Sequence, residues 1–162
     1  MTQLRSHVRW GLPALLLFAF ALVGCDGGGS KREAQYERLV GTWTLIDLQQ
    51  GGFSWEEDEL TAQLTFRDGE AGRTYRLRHV SATGDTTTVE GGLDLLGSNT
   101  LSMSGGFSRP LVWTFTFEEP DVFNDSVRFT LQSRWEGAPQ AFLSALGLSG
   151  TRQPLQMDLE FQ

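Results

Sequence analysis

From residue 39 onward, apolar and polar residues alternate along the chain with a period of two, which is typical of β-strands that are buried on one face. In residues 60–67, one face would carry Leu, Ala, Leu and Phe, and the other would carry Thr, Gln, Thr and Arg. The segments that predict strands are 40–48, 60–67, 74–80, 86–95, 100–104, 111–118, 127–132 and 155–162. Glycine, aspartate and asparagine residues between several of them predict hairpin turns.

One segment departs from this alternation and has helical spacing instead. Between Pro139 and Gly147, the apolar residues recur at intervals of three and four, and proline is favoured in the first turn of a helix. A short helix is therefore predicted before the last strand. About eight short strands with one apolar face each predict an all-β antiparallel meander, folded as a sandwich or a closed barrel.

The first 24 residues form a separate segment. Arg5 and Arg9 precede an uncharged apolar stretch of roughly twelve residues, the pattern of a signal peptide. A membrane-spanning helix needs about 20 apolar residues, so this stretch is too short for a conventional anchor. The stretch ends in Leu-Val-Gly-Cys, which resembles the lipobox of bacterial lipoproteins.

The lipobox resemblance implies that Cys25 is acylated, with palmitate among the expected chains, and becomes the first residue of the mature protein. Two acyl chains anchor a protein durably, so the expected partner is a lipid bilayer of the cell envelope, either inner or outer. Residues 26–38 are glycine-rich and then of mixed charge, which predicts a flexible tether with one or two helical turns. The predicted domains are a signal peptide (1–24), a lipidated cysteine and tether (25–38), and a β-domain (39–162).

The net charge of the chain indicates which classes of partner it can bind. Without the first 24 residues it carries 11 basic and 20 acidic side chains, a formal charge of −9. A domain this acidic is not expected to neutralise nucleic acid phosphates. Arg73, Arg76 and Arg78 are instead expected to pair with acidic residues on neighbouring strands. We expect a monomer.

The cysteine and histidine residues and the absence of nucleotide-binding motifs argue against an enzyme. Cys25 is the only cysteine, so its acylation leaves no thiol for a disulfide, a zinc site or catalysis. His79 is the only histidine after the signal peptide, which excludes a metal site built from several imidazoles, and its expected role is structural or on the surface. No glycine-rich phosphate loop or dinucleotide fingerprint occurs. We therefore expect no catalytic residues, no metal and no cofactor.

A three-residue motif lies on the first predicted strand. Gly41-Thr42-Trp43 follows a short charged segment and resembles the Gly-x-Trp signature of lipocalins, more closely that of the lipocalin-like domains of bacterial lipoproteins. The resemblance implies a small calycin barrel in which Trp43 plugs the closed end. It also implies an arginine from a late strand that covers this tryptophan, for which Arg128 and Arg134 are the candidates.

The interior of such a barrel allows two outcomes. Eight strands enclose a space that is either filled by side chains or wide enough for one small ligand. If a ligand binds, we expect an apolar one, because the predicted inward positions are bulky and apolar. The expected lining residues are Met103, Trp113, Phe115, Phe117 and Phe129.

The segment after the first strand contains Gly51-Gly52, then Phe53 and Trp55, and an acidic run at residues 56–59. The two aromatic residues are expected either to form a lid at the entrance of the barrel or to cap the core. The acidic run is interpreted as a solvated loop. Two functions stay open: a membrane-anchored module that binds a small apolar ligand, and a protein-interaction or inhibitor module of the envelope with a packed core.

Overall fold

The computed structural model describes residues 27–56, 61–118, 126–150 and 154–162, and in these ranges the chain forms two helices and nine strands. In chain order they are α1 (Gly27–Glu37), β1 (Gly41–Gln50), β2 (Phe53–Glu56), β3 (Thr61–Gly69), β4 (Gly72–Val80), β5 (Thr86–Leu95), β6 (Thr100–Ser104), β7 (Leu111–Phe117), β8 (Ser126–Leu131), α2 (Ala138–Ala145) and β9 (Leu155–Phe161). The predicted signal peptide, Cys25 and most of the acidic run at 56–59 lie outside the described residues.

Strands β1 and β3 to β9 close into an eight-stranded antiparallel barrel. Each strand from β3 to β8 pairs with the next one along the chain, and β1 pairs with both β9 and β3. This confirms the predicted meander, with one short helix before the last strand, and it is compatible with a lipocalin-like calycin fold. The predicted segments differ from the observed strands by at most two residues at either end, because the alternation of apolar residues continues to the ends of the strands.

Strand β2 is an addition to the predicted set. It pairs with the second half of β1, whereas β3 pairs with the first half. Gly51 and Gly52 form the two-residue turn between β1 and β2, with φ angles of 54° and 95°. Positive φ at both turn residues suits the twist of a hairpin and favours glycine. The connection that carries Phe53 and Trp55 is thus a hairpin, with β-type alternation in Phe-Ser-Trp-Glu.

Helix α1 occupies the segment that was expected to be a tether. It has 11 residues, about three turns instead of one or two. Tyr36 is fully buried, and its hydroxyl donates a hydrogen bond to the carbonyl of Arg67, at 2.9 Å. Glu33 forms an ion pair with Arg73 at the start of β4. The end of α1 is therefore part of the folded domain, because Tyr36 and the buried Leu39, three residues apart, anchor this segment to the barrel.

The two helices lie at opposite ends of the barrel. α1 leads into the start of β1 and contacts the β3–β4 turn, and we call this the α1 end. The connection between β8 and β9 carries α2, and its residues Phe142, Leu143 and Leu146 are buried at the other end, the α2 end. Both ends of the barrel are thus covered by apolar side chains carried on or next to a helix.

Candidate functional site

The five predicted ligand-lining residues lie on the inward face of the barrel. Met103, Trp113 and Phe129 are fully buried, Phe115 is 2% exposed, and Phe117 is half-buried. The ring centroid of Phe129 lies 6.4 Å from that of Trp113 and 5.7 Å from that of Phe115. The structure therefore brings the aromatic residues of this set together, in mutual contact through their rings.

At the α2 end, a second group of rings continues this packing. Phe142 of α2 makes an edge-to-face contact with Trp113, with ring centroids 4.9 Å apart. Phe107 stacks on Tyr75 at 6.1 Å and also contacts Phe142. Helix α2 is thus packed into the aromatic core and covers the end at which an entrance was expected.

The two residues expected at that entrance have different environments. Trp55 is half-buried and packs against the core, so it caps the apolar interior next to β1. Phe53, beside the Gly-Gly turn, is 66% exposed. Both lie on β2, which is hydrogen-bonded to β1, so they belong to a strand and not to a free loop.

Four buried side-chain nitrogens have no hydrogen-bond partner among the described residues: Nε of Arg32, Nε of Arg73, Nδ1 of His79 and Nε1 of Trp113. His79 is 7% exposed and shares the inward face of β4 with Tyr75 and Leu77. It lies close to Gly147, just after α2, so this histidine belongs to the interior and not to the surface.

The Gly-x-Trp motif forms the floor of the α1 end. Nε1 of Trp43 donates a hydrogen bond to the carbonyl of Leu39, at 2.8 Å, and the indole packs edge to face on Phe161, with centroids 5.1 Å apart. Gly41 has a φ of 142°, and a Cβ at this position would lie 2.4 Å from the ring of Phe161. Glycine is therefore needed both for its backbone angle and for the close approach of this ring.

The arginines expected to cover Trp43 are elsewhere. Arg128 lies on the outer face of β8 and forms a bidentate interaction with Asp158, with two distances of 2.8 Å. This hydrogen bonding, together with the charges of Asp158 and Glu118, raises the pKa of Arg128. Arg134 is exposed and follows β8 at the α2 end, whereas Trp43 lies at the α1 end.

A different arginine occupies the α1 end. The guanidinium carbon of Arg38 lies 3.8 Å from the centroid of the Phe117 ring, and that ring is 6.3 Å from Trp43. Arg38 thus covers the floor of the barrel through Phe117, and it comes from the start of the domain and not from a late strand.

Beside Arg38, an open cleft of about 660 Å³ separates α1 from the barrel. We call it the α1 cleft. The α1 side of the cleft is formed by Lys31, Ala34 and Gln35 on the helix and by Arg38 in the turn directly after it. These positions follow the i, i+3, i+4, i+7 spacing that places side chains on one face of a helix. The sequence interpretation missed this face, although its spacing is visible in the charged segment.

The barrel side of the α1 cleft is formed by the end of β7 and by the turn between β5 and β6. Phe115, Thr116 and Phe117 come from β7, and Ser98 and Asn99 come from the turn. The carbonyl of Asn99 accepts a hydrogen bond from the backbone N–H of Phe115, at 2.9 Å, which holds the turn against the strand. Two of the five predicted lining residues thus reach this cleft.

A smaller depression of about 290 Å³ lies against β3, β4 and β5. Arg76 and Glu90 on its rim are paired across β4 and β5 and form an ion pair. Arg73 pairs with Glu33 and with Asp68. These contacts confirm the expected pairing with acidic residues for two of the three arginines.

No protein-family model matches the chain, and no curated protein matches it either. Neither helix in the described part of the chain is long and apolar enough to cross a membrane. Within the described ranges, no group of three or more His, Cys, Asp or Glu side chains could hold a metal ion.

Proposed function

We propose that this protein is a lipid-anchored lipoprotein whose lipocalin-like barrel binds a small apolar ligand in the α1 cleft. The observation that carries the proposal is the cleft itself, about 660 Å³ in volume, with Phe115 and Phe117 in its wall. Ligand sites in proteins commonly have volumes of roughly 300–1,000 Å³ and combine apolar surface with polar groups that orient the ligand.

The position of the cleft differs from the central position that a simple barrel suggests. The buried rings of Trp113, Phe115 and Phe129 pack on one another, and both ends of the barrel carry packed apolar side chains. A ligand in the α1 cleft contacts the aromatic core at its edge, on the half-buried Phe117, with the buried Phe115 behind it. It does not have to displace the side chains within the barrel.

The anchoring part of the proposal rests on the resemblance of residues 22–25 to a lipobox. Helix α1 begins at Gly27, two residues after Cys25. A diacylated Cys25 would therefore hold the α1 cleft close to the bilayer of the cell envelope, from which an apolar ligand can be supplied. We propose that the protein acts as a monomer.

The proposed role is binding and not catalysis. The residues that line the α1 cleft include no carboxylate, imidazole or thiol. Its hydroxyl groups, on Ser98 and Thr116, have no neighbouring histidine or carboxylate in the lining that could activate them.

The test is a direct binding experiment with the neutral fluorescent probe N-phenylnaphthylamine. Ala34→Trp places a large ring in the cleft and is expected to weaken binding by roughly tenfold or more, equivalent to about 1.4 kcal/mol. Gln140→Trp introduces the same ring at an exposed position on α2, at the opposite end, and should bind like the wild type. Equal loss in both variants, or unchanged binding in Ala34→Trp, would place the site elsewhere.

One observation favours the protein-interaction alternative. Among the described residues, β2 pairs only with β1, and it presents the exposed Phe53 beside that unpaired edge. Exposed edges and apolar residues are common features of protein-binding surfaces. Phe53→Ser should abolish capture of an envelope protein if this alternative holds, and should leave binding of N-phenylnaphthylamine unchanged.

A further inference from the structure

We infer that the α1 cleft selects single-chain amphiphiles with an anionic head group, which Lys31 and Arg38 bind. This inference rests on the proposed function, because it specifies the class of ligand that the cleft accepts. It goes beyond an apolar ligand by assigning a charge to the head group and two residues that recognise it.

The first observation is the sign of the charges in the cleft. The chain as a whole has a formal charge of −7, yet the charged residues that line the α1 cleft are Lys31 and Arg38, both cationic. The carboxylate of Glu33, on the same helix, is engaged by Arg73 on the barrel side. An anion in the cleft would therefore meet two positive charges and no lining carboxylate.

The second observation concerns ion pairing. Arg73, Arg76 and Arg128 each have a carboxylate partner. In the described part of the chain, no carboxylate forms an ion pair with Lys31 or Arg38. A bound anion would supply that partner without breaking an existing ion pair, which lowers the cost of binding.

The third observation is the way Arg38 is held. Its guanidinium group stacks on the ring of Phe117, with 3.8 Å between the guanidinium carbon and the ring centroid. A stacked guanidinium keeps its N–H donors at its edge, in the fork that suits carboxylate and phosphate oxygens. The stacking also limits the rotamers of Arg38, so less conformational entropy is lost when an anion binds.

These observations give an orientation for the ligand. The apolar chain lies on the half-buried Phe117, behind which Phe115 is buried, and the head group lies towards Lys31 and Arg38. Because Arg38 contacts Phe117, the head group and the start of the chain are recognised side by side. The cleft volume, about 660 Å³, suits one chain.

The experiment compares three probes that share one alkyl chain: dodecanoate, dodecanol and dodecyltrimethylammonium. Calorimetric titration uses the chain without its first 25 residues, which retains every residue that the structure describes. Dodecanoate should bind roughly tenfold more tightly than dodecanol, a difference of about 1.4 kcal/mol. The cationic probe should bind more weakly than dodecanol, and added salt should weaken only the binding of dodecanoate.

Variants assign the effect to the two residues. Lys31→Gln and Arg38→Gln should each weaken the binding of dodecanoate several-fold more than the binding of dodecanol, so the preference for the anionic probe falls. Arg78→Gln is the matched control, because it removes the same charge from an exposed position outside the cleft. If Arg38→Gln weakens the binding of dodecanoate and of dodecanol equally, the stacking of Arg38 on Phe117 shapes the cleft. Lys31→Gln, which removes a charge without touching that stacking, and Arg38→Lys, which keeps the charge, then decide whether the positive charge matters.

The outcomes separate this inference from the proposed function. Equal binding of dodecanoate and dodecanol would overturn the head-group inference and leave the proposed function intact. Binding of none of the three probes would overturn both. Binding to phosphatidylglycerol vesicles without binding to free dodecanoate would show that the anion is recognised in a bilayer, and would overturn the assignment of a single-chain ligand.

Discussion

Arg38 lies over the ring of Phe117, with its guanidinium carbon 3.8 Å from the ring centroid, and this contact joins the end of α1 to the aromatic floor of the barrel. The same ring lies 6.3 Å from Trp43. The contact therefore closes the α1 end of the barrel and also forms one edge of the proposed ligand site.

The cation–π contact should contribute measurably to stability. Arg38→Ala is expected to lower the free energy of unfolding by about 0.5–1 kcal/mol, the usual range for such contacts at exposed sites. Arg38→Lys should retain part of this contribution. Arg134→Ala, at an exposed position of the opposite end, is the control and should change little. Urea denaturation provides the measurement, and equal effects at both positions would contradict this role of Arg38.

Gly41 should be among the least replaceable residues. Gly41→Ala combines a φ of 142° with a Cβ placed 2.4 Å from the ring of Phe161. We expect a loss of about 1–3 kcal/mol, typical of overpacking, with the backbone strain in addition. Gly72→Ala is the matched control, because φ is also positive there but no atom lies within 4 Å. Phe161→Ala should partly rescue Gly41→Ala, and a rescue of zero would refute the steric explanation.

The two tyrosines report on both ends of the fold. Burial raises the pKa of Tyr36 to about 12 from 10.0, with a further contribution from Asp68, and burial alone raises the pKa of Tyr75 to about 12. Between pH 10.0 and about pH 12, the tyrosine hydroxyls of the unfolded chain lose protons that those of the folded chain retain. The folded state should therefore lose stability as the pH rises from about 10 to about 12.

Ultraviolet titration of phenolate formation tests this directly, because the chain has only two tyrosines. Tyr75→Phe leaves Tyr36 as the only signal, and that signal reports whether α1 is packed on the barrel. A titration of Tyr36 near pH 10.0, its ordinary value, would contradict the packing of the helix.

Helix α2 should be an integral part of the core. Phe142 is buried and contacts Trp113 edge to face at 4.9 Å, so Phe142→Ala should lower the free energy of unfolding by about 3–5 kcal/mol. Gln140→Ala, at an exposed position on the same helix, should have little effect. A loss below about 1 kcal/mol for Phe142→Ala would mean that the helix is only loosely packed on the barrel end.

The barrel could be predicted from the sequence because each strand carries its own apolar face. Every segment with clear alternation is a strand, and the inward positions of Trp113, Phe115 and Phe129 follow from that alternation alone. Strand β2 was missed because its four residues give too short a pattern beside the glycines and the acidic run. A Gly-Gly pair before alternating residues is nevertheless a recognised hairpin signal.

The candidate site was less predictable because it depends on how α1 docks. The docking is set by contacts such as the one between Tyr36 and Arg67, which are 31 residues apart. No local pattern indicates that contact, so Lys31 and Arg38 were assigned to a tether. Phe115 and Phe117 were identified from the inward face of their strand, while their proximity to α1 is a tertiary property.

The most direct test of the central claim is native mass spectrometry of residues 26–162, purified gently and then offered an envelope lipid extract. We predict an added mass on the wild type that disappears on denaturation and is recovered by solvent extraction. It should be strongly reduced on Ala34→Trp and retained on Gln140→Trp. A wild type that stays free of any added mass, or an added mass that Ala34→Trp retains in full, would contradict ligand binding in the α1 cleft.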